Sequence, residues 1–290
     1  MKFAESWLRE WVDPALDARG IGERLTMAGH ELDGLAITGE GLDGVVVAEI
    51  LEATPHPDAD RLQVCKVSTG SGEPVQIVCG APNARAGLKS PLASPGTTLP
   101  NGIKLRKAKI RGVESMGMLC SAIELGLGEE SDGIIELAED AVVGEALTKA
   151  LGLPDAVFDV DLTPNRGDCF SVLGIARDLS AQTATPLKSP ARQSVEATIK
   201  DAQPVELPVP EACPRFAGRV IRGIDPAARS PLWMVERLRR SGIRSIHPVV
   251  DITNYVMMEL GQPLHAYDLG KLQGTIRPRF AKAGERVTLL

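Results

Sequence analysis

Apolar positions 7, 8, 11 and 12 fall at helical spacing in residues 6–12, and Asp13-Pro14 ends that helix. A second helix is predicted over 17–28, with Ile21 and Leu25 on one face and Gly29 suited to its C-terminal cap. Residues 1–38 therefore read as helical pieces too small to fold alone. The pattern then changes period. Residues 45–51 are an apolar strand-like run, 62–68 alternate, and 75–79 form a third run. Gly70, Gly72 and Pro74 supply the turn between the last two. Residues 103–110 and 133–137 are predicted as later strands. Short strands between Gly- and Pro-rich loops favour a closed barrel or a sandwich.

After Ala146 residues 158–162 alternate as a strand, and 163–167 form a turn. Asp168 is expected to cap a helix reaching about Ala181, with Val172, Leu173, Ala176 and Leu179 on one face. Residues 182–212, rich in Pro, Ser, Ala and Gln, have linker composition. Further on, 216–221 read as a strand, Pro231 opens a helix to about Ser241, and 249–260 and 274–290 continue an α+β pattern. Residues 285–290 read as a strand in progress with no cap or turn after it, so the natural protein is expected to continue.

The 290 residues allow two or three domains at roughly 100–200 residues each. A hydrophobic fraction of 43% suffices for real cores, but only 3% is aromatic, so those cores must rest on aliphatic residues. No apolar run approaches the roughly 18 residues of a membrane span, and the N-terminus lacks the apolar stretch of a signal peptide. Cys65, Cys79, Cys120, Cys169 and Cys213 are scattered and make no C-x-x-C pair, so reduced, mostly buried thiols in a cytoplasmic protein are expected. The net charge of −6 argues against sequence-blind coating of nucleic acid, yet leaves room for a local basic patch.

Such a patch exists. Lys104, Arg106, Lys107, Lys109 and Arg111 crowd one strand-length stretch, where each phosphate neutralised would release condensed counterions. Glu129, Glu130, Asp132, Glu136, Glu139 and Asp140 follow, so charge is polarised along the chain. Stacking aromatics are missing from the stretch, which points to shape and backbone recognition of a folded RNA. A solvated strand face without a partner is the alternative. His56, Asp58 and Asp60 between Pro55 and the next strand read as a polar turn rather than a metal cluster. A second candidate is the Pro-containing loop that presents His265, with Thr253 and Asn254 upstream and Arg237, Arg239, Arg240 and Arg244 nearby to hold an RNA end. On residue chemistry alone a structural histidine competes with that reading. No Ser-His-Asp order, P-loop or G-x-G-x-x-G signature is present.

Several motifs in one order resemble bacterial phenylalanyl-tRNA synthetase beta subunits. They are Met1-Lys2-Phe3 with Trp7-Leu8-Arg9-Glu10-Trp11-Val12, Leu25-Thr26-Met27-Ala28-Gly29, His56-Pro57-Asp58-Ala59-Asp60, Val78-Cys79-Gly80-Ala81-Pro82-Asn83, and Ser115-Met116-Gly117-Met118-Leu119-Cys120-Ser121. Thr163-Pro164-Asn165-Arg166, Ile243-Arg244-Ser245-Ile246, Asp251-Ile252-Thr253-Asn254-Tyr255 and Gly261-Gln262-Pro263-Leu264-His265-Ala266 continue the series. The resemblance implies an α+β multidomain chain: an OB-fold β-barrel inserted in a small α/β N-terminal domain, followed by the truncated start of an α+β editing domain. The implied boundaries are 1–38 for the first part of the N-terminal domain, 39–149 for the tRNA-binding barrel, 150–200 for its continuation and linker, and 201–290 for the partial editing domain.

By the same resemblance the whole enzyme joins phenylalanine to tRNA(Phe) with ATP and Mg2+ as an alpha2-beta2 heterotetramer. Its aminoacylation site lies in the alpha subunit, and no cofactor or metal is assigned to this chain. The editing domain hydrolyses mischarged tyrosyl-tRNA, because a snug apolar pocket discriminates one hydroxyl only modestly. Positions matching that pocket are Arg244 for the tRNA end, Thr253 and Asn254 for pocket lining or water placement, Pro263, and His265 for the ester or its water. The family's editing domain continues past this sequence, so hydrolysis by this piece alone is not expected. A stand-alone tRNA-binding barrel without catalytic role is the alternative reading.

Overall fold

The structure, a computed structural model, describes residues 1–129, 131–190 and 193–288. In chain order it forms β1 (Lys2–Ala4), α1 (Glu5–Trp11), α2 (Ala18–Met27), β2 (Glu31–Thr38), β3 (Val45–His56), β4 (Ala59–Ser68), β5 (Val75–Cys79), β6 (Lys89–Ala93), β7 (Ala108–Ile110), β8 (Val113–Ser115) and β9 (Met118–Leu119). Then follow α3 (Leu147–Ala150), β10 (Asp155–Asp161), α4 (Val172–Thr183), α5 (Leu232–Arg240) and α6 (Pro248–Leu260). The chain divides into two compact units, residues 1–190 with 230–264 and residues 191–229 with 265–290. No helix among the described residues is long and apolar enough to cross a membrane.

In the first unit β10 lies between β1 and β2 in an antiparallel sheet. Phe158 on β10 is fully buried and stacks on Phe3 with ring centroids 5.3 Å apart. Trp7, Leu25, Ile175 and Leu179 from α1, α2 and α4 close the same core. Everything from β3 to β9 is inserted between β2 and β10, two neighbours in one sheet. Residues 1–38 are therefore not helical throughout. Lys2–Ala4 and Glu31–Thr38 are strands because β10 supplies hydrogen-bonding partners from 117 or more positions away, which local periodicity cannot register. Asp17 caps α2 as its spacing suggests, its side chain accepting from the Gly20 N–H. The expected cap at Asp168 is displaced: residues 164–169 form a 3-10 turn, and Ser171 caps α4 by accepting from the Gly174 N–H at 3.0 Å.

The inserted strands run in the order β5-β4-β3-β6-β9. The far strands β5 and β9 approach each other, giving a nearly closed five-strand antiparallel barrel consistent with the expected OB-type fold. Two of its predicted strands differ. Residues 103–110 split into two local hairpins: Leu105 N–H donates to Thr97 O, and Ala108–Ile110 pairs with Val113–Ser115. The cause is turn chemistry, with Gly102 at φ 85° in one turn and Arg111-Gly112 at φ 48° and 85° in the other. Residues 133–137 bond piecemeal, Ile135 N–H to Cys120 O and Leu137 N–H to Lys89 O, while the Asn83 amide takes both Ile134 backbone groups. They are not a strand. The strand Lys89–Ala93 escapes sequence reading because Pro91 sits at its centre. It is tolerated because the facing Val47 N–H goes to Glu145 O instead.

α5 and α6 pack within the first unit. Arg240, almost buried, donates to Asp155 Oδ2 at 2.6 Å, and the same carboxylate accepts from Ser6 N–H and Ser6 Oγ in the first turn of α1. Tyr255 of α6 stacks on Trp7 at 4.9 Å, with Arg237 lying over both rings. In the second unit Val205 and Ile276 form a parallel bridge, flanked by a Glu206–Arg277 ion pair at 2.6 Å. The predicted strand at 216–221 is irregular and mostly exposed, since no strand of that unit lies beside it among the described residues. Residues 285–288 are likewise irregular, and Leu289, Leu290 and Glu130 lie outside the described residues.

Phe158→Ala is expected to destabilise the first unit by about 3–5 kcal/mol, because a stacked, fully enclosed ring leaves a cavity. Asp155→Ala should cost about 3 kcal/mol by removing the nearer of the two carboxylates paired with the Arg240 guanidinium, Glu236 at 3.5 Å being the other. Denaturant unfolding followed by tryptophan fluorescence measures both.

Candidate nucleic-acid interface

The barrel carries the basic residues outward. Lys104, Arg106, Lys107, Lys109 and Arg111 are all exposed, on the segment that enters β7 and on the turn of the β7–β8 hairpin. Lys107 pairs with Glu114 across the hairpin at 3.0 Å in solvent. The hairpin is fastened to the barrel edge by Gln76 Nε2 donating to Glu114 O and by Met116 N–H donating to Gln76 O. Ser115 makes the tightest join: its buried Oγ accepts from Val78 N–H and donates to Gly117 O. The two-residue turn at Arg111-Gly112 forces the charged stretch to project from the barrel rather than continue as one of its staves.

Beneath the hairpin lies a groove of about 410 Å³. Cys79, Gly80, Ala81, Arg106, Ile110 and Glu124 are among the residues that line it. Two of the sequence motifs thus meet in one place, 78–83 and 115–121, with the basic stretch as the lip. Glu124 Oε2 accepts from both the N–H and the Oγ of Ser121 at 2.7 Å, which fixes the Glu124 side chain. Gly117, at φ 140°, approaches Ala93 O so closely that an added Cβ would lie 2.5 Å from it, so any side chain there would push β9 away. Exposed Ile103, Ile110 and Ile123 give the region apolar as well as cationic surface. Of the acidic residues that follow in sequence, Glu136 holds Arg85 in a bidentate pair.

His56 ends β3 and is nearly enclosed, at 5% exposure. Its Nδ1 accepts from Asp58 N–H at 3.0 Å, and its Nε2 bonds Ile110 O at 3.1 Å. The 56–60 stretch is thus a tight turn, and the imidazole is occupied by backbone groups rather than by carboxylates. Cys65, Cys79, Cys120 and Cys169 are buried free thiols, with Cys213 half-buried. Burial pushes Cys65 up to about 11 and Cys120 up to about 12, so both stay protonated at neutral pH.

A cluster that sequence reading missed lies in the N-terminal domain. His30, Cys169 and Asp178 bring one ligand-type atom each within 4.8 Å. The Arg166 guanidinium already fills the space between them, donating to Asp178 Oδ2 at 2.6 Å and to Cys169 Sγ at 2.8 Å. A metal would have to displace a fixed cation, so the donor set suits Arg166 better than an ion. The only sequence signal was Arg166 itself, in Thr163-Pro164-Asn165-Arg166; its partners come from positions 30 and 178.

Of the expected editing residues, Arg244 is exposed after α5, Thr253 and Asn254 lie half-buried on α6, and Pro263 is exposed beyond it. The Thr253 hydroxyl donates to Val250 O of its own helix at 2.6 Å. His265 falls in the second unit, exposed, its ring 6.2 Å from that of Tyr267. Missed by sequence reading was Asp251, fully buried, which accepts from Ser230 Oγ, from Ser245 Oγ at 2.6 Å and from Ile246 N–H at 2.9 Å. It thereby fixes the turn that follows Arg244.

A nearly closed five-strand barrel of this order, with a cationic hairpin beside its groove, is the arrangement of an OB-type module. Residues 45–146 match the family described as a putative tRNA binding domain, and residues 212–290 match the B3/4 domain. Over all 290 residues the chain is 54% identical to the phenylalanine–tRNA ligase beta subunit of Pseudomonas putida and 53% identical to that of Methylococcus capsulatus, covering 36% and 37% of those proteins. The chain belongs to the phenylalanine–tRNA ligase beta-subunit family and spans little more than a third of the length of those relatives. Among solved structures, the C-terminal domain of Plasmodium vivax p43 is 23% identical over 34% of this chain and 56% of that one, with a TM-score of 0.26.

Acid titration tests the Arg166 cluster. Hydrogen bonding to Arg166 holds Asp168 down at about 2; burial pushes Asp178 up, but bonds from Arg166 and His30 outweigh it and leave it lowered. Carboxyls depressed in the folded state contribute stability above the unfolded value of about 4, and that stability is lost as pH falls toward 2. Arg166→Gln should flatten the fall in unfolding midpoint between pH 4 and pH 2. An unaltered acid limb would show that the cluster contributes nothing there.

Proposed function

We propose that the barrel grips tRNA(Phe) through the 104–111 segment, and that the chain serves as part of the beta subunit of a cytoplasmic enzyme that attaches phenylalanine to tRNA(Phe). The observation that carries this reading is the exposure of all five cations beside the groove. Clustered cations on a fixed support release counterions from a phosphate backbone without first being ordered. The scarcity of aromatics near the groove favours recognition of RNA shape over stacking of single bases. Domains divide as 1–38, 39–149, 150–200 and 201–290, the last being the start of an editing domain. The partner is an alpha subunit in an alpha2-beta2 assembly, which supplies the aminoacylation site together with ATP and Mg2+; no residue of this chain is assigned to either. A free-standing tRNA-binding module is disfavoured, because the identity to beta subunits extends through the residues beyond the barrel.

Within that assembly the editing pocket for tyrosyl-tRNA draws on Arg244, Thr253, Asn254, Pro263 and His265. A guanidinium suits a terminal phosphate, and an imidazole suits the ester or its attacking water. Asp251 supports the pocket by holding the turn after Arg244.

Two measurements check these assignments in the complete enzyme. Log affinity for tRNA(Phe) should fall linearly with log salt, and replacing Lys104, Arg106, Lys107, Lys109 and Arg111 by Glu should reduce the magnitude of that slope by about 3. A slope untouched by the replacement rejects the basic segment as the grip. His265→Ala should slow tyrosyl-tRNA deacylation by about 100-fold with little effect on phenylalanine attachment; equal deacylation by the variant rejects His265.

A further inference from the structure

His56 stands in a tight turn, and that turn engages only one of its two ring nitrogens. We propose that His56 is a positioning residue that struts the basic hairpin above the groove, a role resting on the tRNA-binding reading of that hairpin. The ring is nearly enclosed and sits where β3 turns into β4. A backbone N–H can only donate, so the 3.0 Å contact from Asp58 N makes Nδ1 the acceptor and places the ring proton on Nε2. Nε2–H then donates to Ile110 O at 3.1 Å. One neutral tautomer satisfies both bonds.

Ile110 is the last residue of β7, directly before the Arg111-Gly112 turn. Lys109 and Arg111 flank the carbonyl that His56 holds. The other fastenings of the hairpin, from Gln76 and Ser115, lie on the β8 side. Among the described residues, His56 is the side chain that bonds the β7 side of the hairpin to the barrel. A two-stranded ribbon of three residues per strand is marginal in water without such support. The strut therefore holds Lys109 and Arg111 in place before RNA arrives, which lowers the ordering cost of binding.

The two bonds can be separated chemically. In His56→Asn the amide oxygen stands where Nδ1 stood and keeps the Asp58 turn, but the side chain is too short to reach Ile110. In His56→Gln the amide nitrogen reaches the Nε2 position and restores the bond to Ile110. Both variants are made in the complete enzyme. Thermal unfolding confirms that they fold, amide hydrogen exchange of residues 104–115 reads hairpin order, and tRNA(Phe) affinity is measured across salt.

The expected result for His56→Asn is exchange of the 104–110 amides faster by roughly fivefold, with tRNA affinity lower by roughly the same factor, as one lost hydrogen bond implies. The salt slope should be unchanged, because all five charges remain. His56→Gln should recover exchange and affinity together. Unchanged exchange in His56→Asn overturns the strut, and so does a loosened hairpin with full affinity. Failure of the tRNA-binding reading looks different: the charge-reversed enzyme would keep its salt slope, whatever His56 does.

Discussion

The constraint on which the rest depends is that β3 pairs on both edges at once. Glu49 faces Ser68 on β4 and Lys89 on β6, so the strand must be buried along its first half and curved enough to let the sheet close. Register breaks between Ile50 and Glu52 and between Pro55 and His56 supply the bend. Ala48, Ile50, Cys65, Val67, Ile77 and Leu92 fill the space that closure creates. Closure brings β9 back beside β5, and only there do the 78–83 and 115–121 stretches meet to make a groove. Everything cationic is then placed by short-range fastenings onto that cylinder.

The charge distribution follows the same logic. A net charge of −6 would repel a polyanion at long range, so contact must come from a region where cations are concentrated. Glu136 is held by Arg85, and Glu124 is turned onto Ser121. Lys104, Arg106, Lys109 and Arg111 stand in solvent with their charge available, and Lys107 is only loosely offset by an exposed Glu114. Rigidity of the hairpin matters because the loss on binding is largely the cost of ordering.

Where the sequence was legible, the determinants were local. The alternation in 62–68, the Asp17 cap and the helix opening after Pro231 depend on neighbours within a few residues. The motif order carried the family and the placement of the basic stretch. What could not be read was pairing at long range. Lys2–Ala4 and Glu31–Thr38 are strands only because β10 completes their sheet, and Lys89–Ala93 hides behind Pro91. Residues 103–110 look like one strand because turn glycines, not apolar periodicity, decide that they fold back twice. The Arg166 cluster, drawn from positions 30 to 178, left only a single arginine in the sequence as a sign. The candidate editing residues are legible as a motif, but Asp251, which orders the turn beside Arg244, announces itself only through three hydrogen bonds in space.

The most direct test of the account is a hydrogen-exchange footprint of tRNA(Phe) on the complete enzyme. The account predicts that RNA slows exchange in residues 104–115 and at the groove walls around 79–81. Protection confined to other surfaces, with 104–115 exchanging at the RNA-free rate, would contradict it.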